Sequence, residues 1–155
     1  MTAISLAHAD VLDLPEVMRV MEDSFDPEYG EAWTAPQCAG LISLPGVWLV
    51  IARQDAEPLG FALSRVVAGE AELLLLAVRR SAQRRGIGAQ LLERFICDAG
   101  SRGATKLHLE VRHGNPAVEL YKSAGFREVG RRFNYYRGAA GQVFDALTLA
   151  RTTNS

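Results

Sequence analysis

A glycine-rich turn in the second half of the chain reads Gln83-Arg84-Arg85-Gly86-Ile87-Gly88-Ala89. It follows an apolar run at 71–78 that predicts a strand, and it precedes apolar residues spaced as on one face of a helix. In this order, the free N–H groups of the helix N-terminus can point toward one anion. The glycines leave room for a ligand against the backbone, and the arginines add positive charge. The turn is therefore predicted to bind pyrophosphate; the alternative is a tight turn with solvated arginines.

Two common nucleotide-binding motifs do not fit this turn. Gly88 is followed by Ala89-Gln90-Leu91, whereas a dinucleotide fold needs G-x-G-x-x-G and a P-loop needs Gly-Lys-Ser/Thr. We therefore exclude hydride transfer and nucleotide hydrolysis.

The remaining periodicity predicts an α/β (α+β) domain. Strands are expected at 4–6, 47–52, 60–67, 71–78, 106–112, 129–136 and 143–149. Helices are expected from a capping box at Asp13 to about Phe25, from Thr34 to before Pro45, over 87–99, and from Asn115 to about Gly125. Four consecutive leucines, 73–76, indicate a strand that is buried on both faces.

Composition limits the class of protein. The chain has 155 residues, 48% of them hydrophobic, and a net charge of −1. We expect a single domain, 1–155, located in the cytoplasm and bound neither to a membrane nor to nucleic acid. Cys38 and Cys97 have no metal-type spacing and are expected to be buried and reduced, and we expect no metal.

An acidic segment lies in the first third of the chain. No Lys or Arg occurs between Arg19 and Arg53, and this interval carries five carboxylates: Glu22, Asp23, Asp26, Glu28 and Glu31. Such a segment favours a basic binding partner.

Two motifs together resemble a known superfamily. Leu76-Ala77-Val78 followed by residues 83–88 resembles the acetyl-CoA motif of the GNAT N-acetyltransferases, and Leu120-Tyr121-Lys122-Ser123-Ala124-Gly125-Phe126 resembles their second signature. The resemblance implies the GNAT fold: a mixed, mostly antiparallel sheet of about seven strands, flanked by about four helices and splayed between the fourth and fifth strands. Within the superfamily, residues 109–112 and 131–136 resemble the bacterial ribosomal-protein-alanine N-acetyltransferases, although the loop from Asn115 to Tyr121 is one residue shorter.

The same resemblance implies how acetyl-CoA would bind as co-substrate. Backbone groups of Leu76, Ala77 and Val78 would hold the pantetheine arm, and a backbone N–H near Ala77 or Val78 would stabilise the oxyanion. A bulge there would splay the sheet. The pyrophosphate would lie on Arg84, Arg85, Gly86, Ile87, Gly88 and Ala89, and Asn115 would also contact the cofactor.

Catalytic and acceptor residues follow from the resemblance together with the residue types. Glu110 is the candidate general base, acting through a water, and its alternative is an ion pair with Arg112 or His108. Tyr121 is the candidate acid for the departing thiolate, or else a core aromatic. The acceptor groove is expected to be lined by aromatic side chains that could equally belong to the core: Trp33, Tyr135 and Tyr136.

Three functions remain open. An N-terminal α-amine with a pKa near 8 is about one-tenth neutral at pH 7, whereas lysine near 10.4 is almost never neutral. The leading hypothesis is therefore acetylation of the N-terminus of a ribosomal or other protein, with the enzyme a monomer or homodimer. The alternatives are acetylation of a small amine, such as a polyamine or aminoglycoside, and a non-catalytic acyl-CoA-binding module.

Overall fold

The computed structural model describes residues 3–154, which form seven strands and four α-helices. The strands are β1 Ser5–Ala9, β2 Val47–Gln54, β3 Glu57–Val67, β4 Glu70–Val78, β5 Lys106–Arg112, β6 Arg127–Arg137 and β7 Val143–Thr152. The helices are α1 Leu14–Ser24, α2 Ala35–Ile42, α3 Ile87–Ser101 and α4 Ala117–Ser123.

All seven strands belong to one sheet, in the order β1-β2-β3-β4-β5-β7-β6. Neighbouring strands are antiparallel except β4 and β5, which are parallel. The exception follows from the connection, because a helix between two strands brings the chain back in the same direction. The predicted sheet and helices are confirmed.

Apolar side chains cover both faces of this sheet. On one face, α3 contributes Leu91, Leu92 and Phe95 to a core that also contains Leu107 and Leu109 of β5. On the other face, α1 and α2 cover β2, β3 and β4 in a second core that contains Val20, Cys38, Phe61 and Leu75. The sheet is thus the middle layer, and burial of β4 on both faces explains its leucine run.

β4 and β5 part halfway along their length. Their parallel pairing runs from Glu70↔Lys106 to Leu73↔Leu109 and then stops. At the same level the register of β3 against β4 shifts, so that Ser64 and Leu63 face Leu73 and Leu75 and leave Leu74 as an extra residue. Such a bulge increases the local twist of the strand. The expected bulge and splay therefore both occur, and the second half of β4 has one free edge.

Three local expectations were wrong. β1 begins and ends later than predicted because pairing with β2 selects Ser5–Ala9. Asp13 does not cap α1: its carboxylate accepts from the Asp10 N–H of a preceding 3-10 turn. Cys97 is exposed, whereas Cys38 is buried as expected. Among residues 3–154, the structure contains no helix of sufficient length and apolar character to span a bilayer.

Candidate functional site

A cavity of about 650 Å³ opens where β4 and β5 part. It contains nine of the ten predicted cofactor-binding residues: Leu76, Ala77, Val78, Arg84, Gly86, Ile87, Gly88, Ala89 and Asn115. The tenth, Arg85, does not line the cavity; its guanidinium instead donates to Oε1 of Gln54, at the end of β2, at 2.7 Å. The parted strands thus bring the strand residues and the turn residues to one place.

The free edge of β4 forms one side of the cavity. Beyond Leu73 this strand pairs with β3 alone, so its other edge presents backbone amides toward the gap. An unpaired edge can add an extended amide chain as if it were another strand. The pantetheine arm of coenzyme A, with its two amides, fits such an edge.

The turn before α3 is built to receive an anion. Arg84 and Gly86 have φ angles of 64° and 81°, and no side chain caps the first turn of α3. The N-terminus of α2 differs, because Thr34 and Gln37 form a capping box there. Uncapped N–H groups together with the helix dipole favour a phosphate, which is the group that the residues of this turn suit.

Glu110 projects from β5 on the face opposite α3, because its neighbours Leu109 and Val111 are buried in the α3 core. It pairs with neither of the partners considered from the sequence. Instead, Oε1 contacts Nε of Arg132, a side chain that is 62% exposed. Oε2 is buried and has no hydrogen-bond partner among residues 3–154. A buried carboxylate oxygen without a donor is an acceptor available for a proton or a water.

Tyr121 lies deeper than a surface acid would. Only 6% exposed, it belongs to the α3 core and contacts Phe126 edge-on at 6.3 Å between ring centroids. Burial raises the pKa of its phenol, and the charge of Glu31 raises it further. The phenol therefore keeps its proton, which suits a hydrogen-bond donor better than a strong acid.

The three predicted acceptor residues take different positions. Tyr135 and Tyr136 contact each other edge-on at 5.0 Å, and Tyr135 is 52% exposed. Burial, followed by the charge of Glu110, raises the pKa of Tyr135; burial and then Glu31 raise that of Tyr136. Both tyrosines thus belong to the surroundings of the two carboxylates. Trp33 instead packs against the core under α1 and α2, and none of the three side chains lines the cavity.

A bulge in β6 positions the tyrosines. Arg132 pairs with Ala146 and Tyr136 with Phe144, so four steps along β6 match two along β7. Asn134 adopts a φ of 54° and its N–H donates to Asp145 Oδ1 at 3.0 Å. The sequence reveals the Asp145 side chain but not this contact.

Two charged residues of the site were missed by the sequence reasoning. Glu31 is 9% exposed and lines the cavity, where its carboxylate binds Arg112 and Asn115. The guanidinium of Arg112 also stacks on the Tyr29 ring, 3.6 Å from its centroid. The available signal was weak, since Glu31 is one of five carboxylates in its segment and Arg112 comes 81 positions later in the chain.

The acidic segment is less exposed to binding partners than its sequence suggests. Asp23 pairs with Arg79 at 3.3 Å, and Glu31 pairs with Arg112 at 3.2 Å. Glu22, Asp26 and Glu28 remain exposed. Part of the negative charge therefore balances the protein's own arginines. Among residues 3–154, no group of three or more metal-ligating side chains lies together.

Comparisons with known proteins agree with this geometry. The model of the acetyltransferase (GNAT) family matches residues 14–126. Over 97 residues, the chain is 44% identical to the [ribosomal protein bS18]-alanine N-acetyltransferase of Salmonella typhimurium; the match covers 62% of this chain and 65% of that protein. The chain thus spans just under two thirds of this relative's length.

A second relative and a solved structure extend the comparison. Mycothiol acetyltransferase of Clavibacter sepedonicus is 31% identical over 125 residues, which cover 79% of this chain and 38% of that protein. The crystal structure of the ribosomal-protein-S18-alanine N-acetyltransferase from Escherichia coli superposes with a TM-score of 0.86 at 30% identity, covering 97% of this chain and 94% of that one. The resemblance inferred from the sequence motifs is confirmed.

Proposed function

Because the chain belongs to the acetyltransferase (GNAT) family, we propose that it transfers the acetyl group of acetyl-CoA to the N-terminal α-amine of a protein. The relatives named for ribosomal protein bS18 direct the proposal to an N-terminal alanine. The observation that carries it is the buried, unpartnered Oε2 of Glu110 beside the parted strands. The cytoplasm, where ribosomal proteins are synthesised, is the proposed location.

Acetyl-CoA would be held by backbone groups on the β4 side of the cavity. Leu76, Ala77 and Val78 present the strand edge for the pantetheine arm, and the turn from Arg84 to Ala89 presents N–H groups for the pyrophosphate. When bound, acetyl-CoA supplies an activated thioester. A backbone N–H near Ala77 or Val78 would stabilise the negative charge that develops on the carbonyl oxygen.

Glu110 would serve as general base for the attacking amine. The new C–N bond requires the amine to lose a proton, and Oε2 can accept it directly or through a water. Arg132 holds the other carboxylate oxygen and so orients the group. Tyr121, which keeps its proton because burial raises its pKa, would donate a hydrogen bond to the sulfur as the C–S bond breaks.

The acceptor would approach over the face that carries Glu110. Tyr135 and Tyr136 lie beside this carboxylate and would contact the first residues of the acceptor. Exposed carboxylates of the acidic segment would attract a basic terminus, although two of its five are already paired within the protein. The protein is expected to act as a monomer or homodimer.

Release of CoA thiol from acetyl-CoA tests the proposal. The acceptors would be short basic peptides that begin with alanine, the same peptides with a blocked N-terminus, spermidine and an aminoglycoside. Turnover with the free N-termini alone is expected, because their α-amine is partly neutral at pH 7. Equal turnover with blocked peptides that retain lysine would contradict the proposal.

A small amine is the second candidate acceptor. One relative, whose alignment covers 79% of this chain, is named for mycothiol, a small molecule. The acidic segment also touches the β6–β7 connection, where the Ala139 N–H donates to the Pro27 carbonyl at 3.0 Å. A preference for spermidine or the aminoglycoside in the same assay would support this candidate.

A further inference from the structure

Glu31 makes an unusual set of contacts for a residue of an acidic surface segment. Its Oε1 accepts from Arg112 Nε at 3.2 Å, and its Oε2 accepts from Asn115 Nδ2 at 2.8 Å. The side chains of Glu31 and Arg112 are 10% and 9% exposed. Because a buried charge is tolerated only when it is paired and hydrogen-bonded, both oxygens are held in fixed positions.

These contacts join three parts of the site that are remote in sequence. Asn115 Oδ1 accepts from the Ala117 N–H at 2.8 Å, at the start of the helix that carries Tyr121. Arg112 ends β5, two residues after Glu110. Glu31 therefore links the acidic segment to the positions of the candidate acid and the candidate base.

The acidic segment is seated closely where Glu31 holds it. A Cβ at Gly30 would collide with the Arg137 carbonyl, and a Cβ at Gly138 would collide with the Glu28 carbonyl. The Tyr29 ring packs between Arg112 and Phe144, 5.3 Å from the latter ring centroid. The segment from 26 to 31 therefore lies close against the end of β6 and the β6–β7 connection.

We propose that Glu31 is a positioning residue for acetyl transfer, which fixes the segment from 26 to 31 as the acceptor wall of the cavity. The inference rests on the proposed function. The negative charge of Glu31 also acts on the proposed site, since it contributes to the raised pKa values of Tyr121 and Tyr136. Acetyl-CoA would contact mainly the opposite wall, so loss of the Glu31 contacts should impair the acceptor step more than cofactor binding.

Four variants test the positioning role. Glu31→Gln replaces one acceptor oxygen by a donor that faces Asn115 or Arg112, and Glu31→Asp keeps the charge but is one methylene too short to reach both partners. The double variant Glu31→Gln with Asn115→Asp exchanges donor and acceptor, keeps the net charge and preserves an oxygen for the Ala117 N–H. The single variant Asn115→Asp completes the double-mutant cycle.

Both single substitutions at Glu31 should lower kcat/KM for a peptide with a free N-terminal alanine about tenfold or more, with the Kd for acetyl-CoA changed less than about threefold. Hydrogen exchange of the amides in 26–31 should accelerate in the protein without ligands. The double variant should recover both properties beyond either of its single variants. Glu31→Asp retains the negative charge beside Arg112, so it can test the positioning role even if Glu31→Gln does not fold.

Glu22→Gln is the matched control, since it removes the same charge from an exposed position of the acidic segment that lies outside 26–31. Its effect on a basic peptide should be smaller and should disappear at high salt. The inference is overturned when Glu31→Asp retains wild-type kcat/KM, or when exchange accelerates without any kinetic change. A wild-type protein that releases no CoA with any free N-terminus refutes the proposed function instead, while the exchange of 26–31 still reports on the contacts of Glu31.

Discussion

The two walls of the cavity differ in how the chain supplies them. One wall comes from β4, the following turn and the start of α3, all within residues 76–89. The other combines Glu31 and Arg112, which line the cavity, with Glu110, Tyr121 and the bulged part of β6, which lie beside it without lining it. A contiguous wall is specified by local turn and strand chemistry, whereas the second wall exists only after the sheet has formed. We expect the contiguous wall to determine cofactor affinity and the assembled wall to determine chemistry.

Glu110→Gln should give the largest effect and so test this division most severely. Removal of a general base slows turnover by about a hundredfold or more, while acetyl-CoA, which contacts the other wall, should bind as before. The measurements are kcat for a peptide with a free N-terminus and the calorimetric Kd for acetyl-CoA. Little stability should be lost, because the partner of Glu110, Arg132, is 62% exposed and can be hydrated.

Glu72→Gln is the matched control for Glu110→Gln. Glu72 is a carboxylate of β4 that lies 3.6 Å from His108 on the same region of the sheet, with 38% of its side chain exposed. Its replacement should leave kcat within about twofold of wild type, because only a screened surface pair is lost. Equal losses from both substitutions would show that general electrostatics, and no individual base, accounts for the effect.

Tyr121→Phe should have the next largest effect, about tenfold on kcat, because one hydrogen bond to a charged leaving group is lost. Burial and Glu31 raise the pKa of this phenol above its ordinary 10.0. A raised pKa means that the protonated form persists as pH rises, so Tyr121 itself should produce no fall in kcat below about pH 10. The pH profiles of both proteins check this, and an alkaline limb that Tyr121→Phe removes would contradict it.

The same division explains what the sequence could predict. The turn from Arg84 to Ala89 was identified because the glycines, the preceding strand and the following helix are adjacent in the chain. Cys97 was misjudged because exposure depends on which side of α3 a residue occupies. Glu31 was not distinguished from its acidic neighbours, since only the folded sheet brings Arg112 and Asn115 to it. Contacts across 81 and 84 positions leave no local pattern.

Gly86→Ala tests the contiguous wall. Gly86 has a φ of 81°, and an added Cβ would meet no protein atom within 4 Å, so the substitution adds backbone strain and a methyl group facing the cavity. We expect acetyl-CoA to bind about five- to tenfold more weakly with kcat at saturation largely preserved. Gly103→Ala is the control, because Gly103 has a φ of 86° and equally open surroundings beyond the other end of α3. Both variants should lose similar stability, about 1 kcal/mol, and only the first should lose cofactor affinity.

His108 offers the smallest effect and tests whether a charge near Glu110 on β5 can be changed without affecting the chemistry. The hydrogen bond that His108 donates to Glu72 raises the pKa of His108 above 6.5, burial opposes this, and the charges of Glu72, Glu70 and Glu110 add to it. Because the folded pKa is the higher one, the protonated pair stabilises the fold fully below about pH 6.5, and this contribution is lost as pH rises through the folded pKa. His108→Gln should therefore reduce the free energy of unfolding by up to about 1 kcal/mol at pH 6 and by less at pH 9.

Denaturant unfolding at both pH values measures this difference in the free energy of unfolding. In a Glu72→Gln background, His108→Gln should have nearly the same effect at both pH values, because the largest cause of the raised His108 pKa is then absent. His108 lies two residues before Glu110 on β5 but pairs with β4 rather than with the base. Turnover of His108→Gln near pH 8 should therefore match wild type, because the imidazole pairs with Glu72 and not with Glu110. A large loss of kcat at that pH would place His108 within the proton path and extend the chemistry of the assembled wall beyond Glu110.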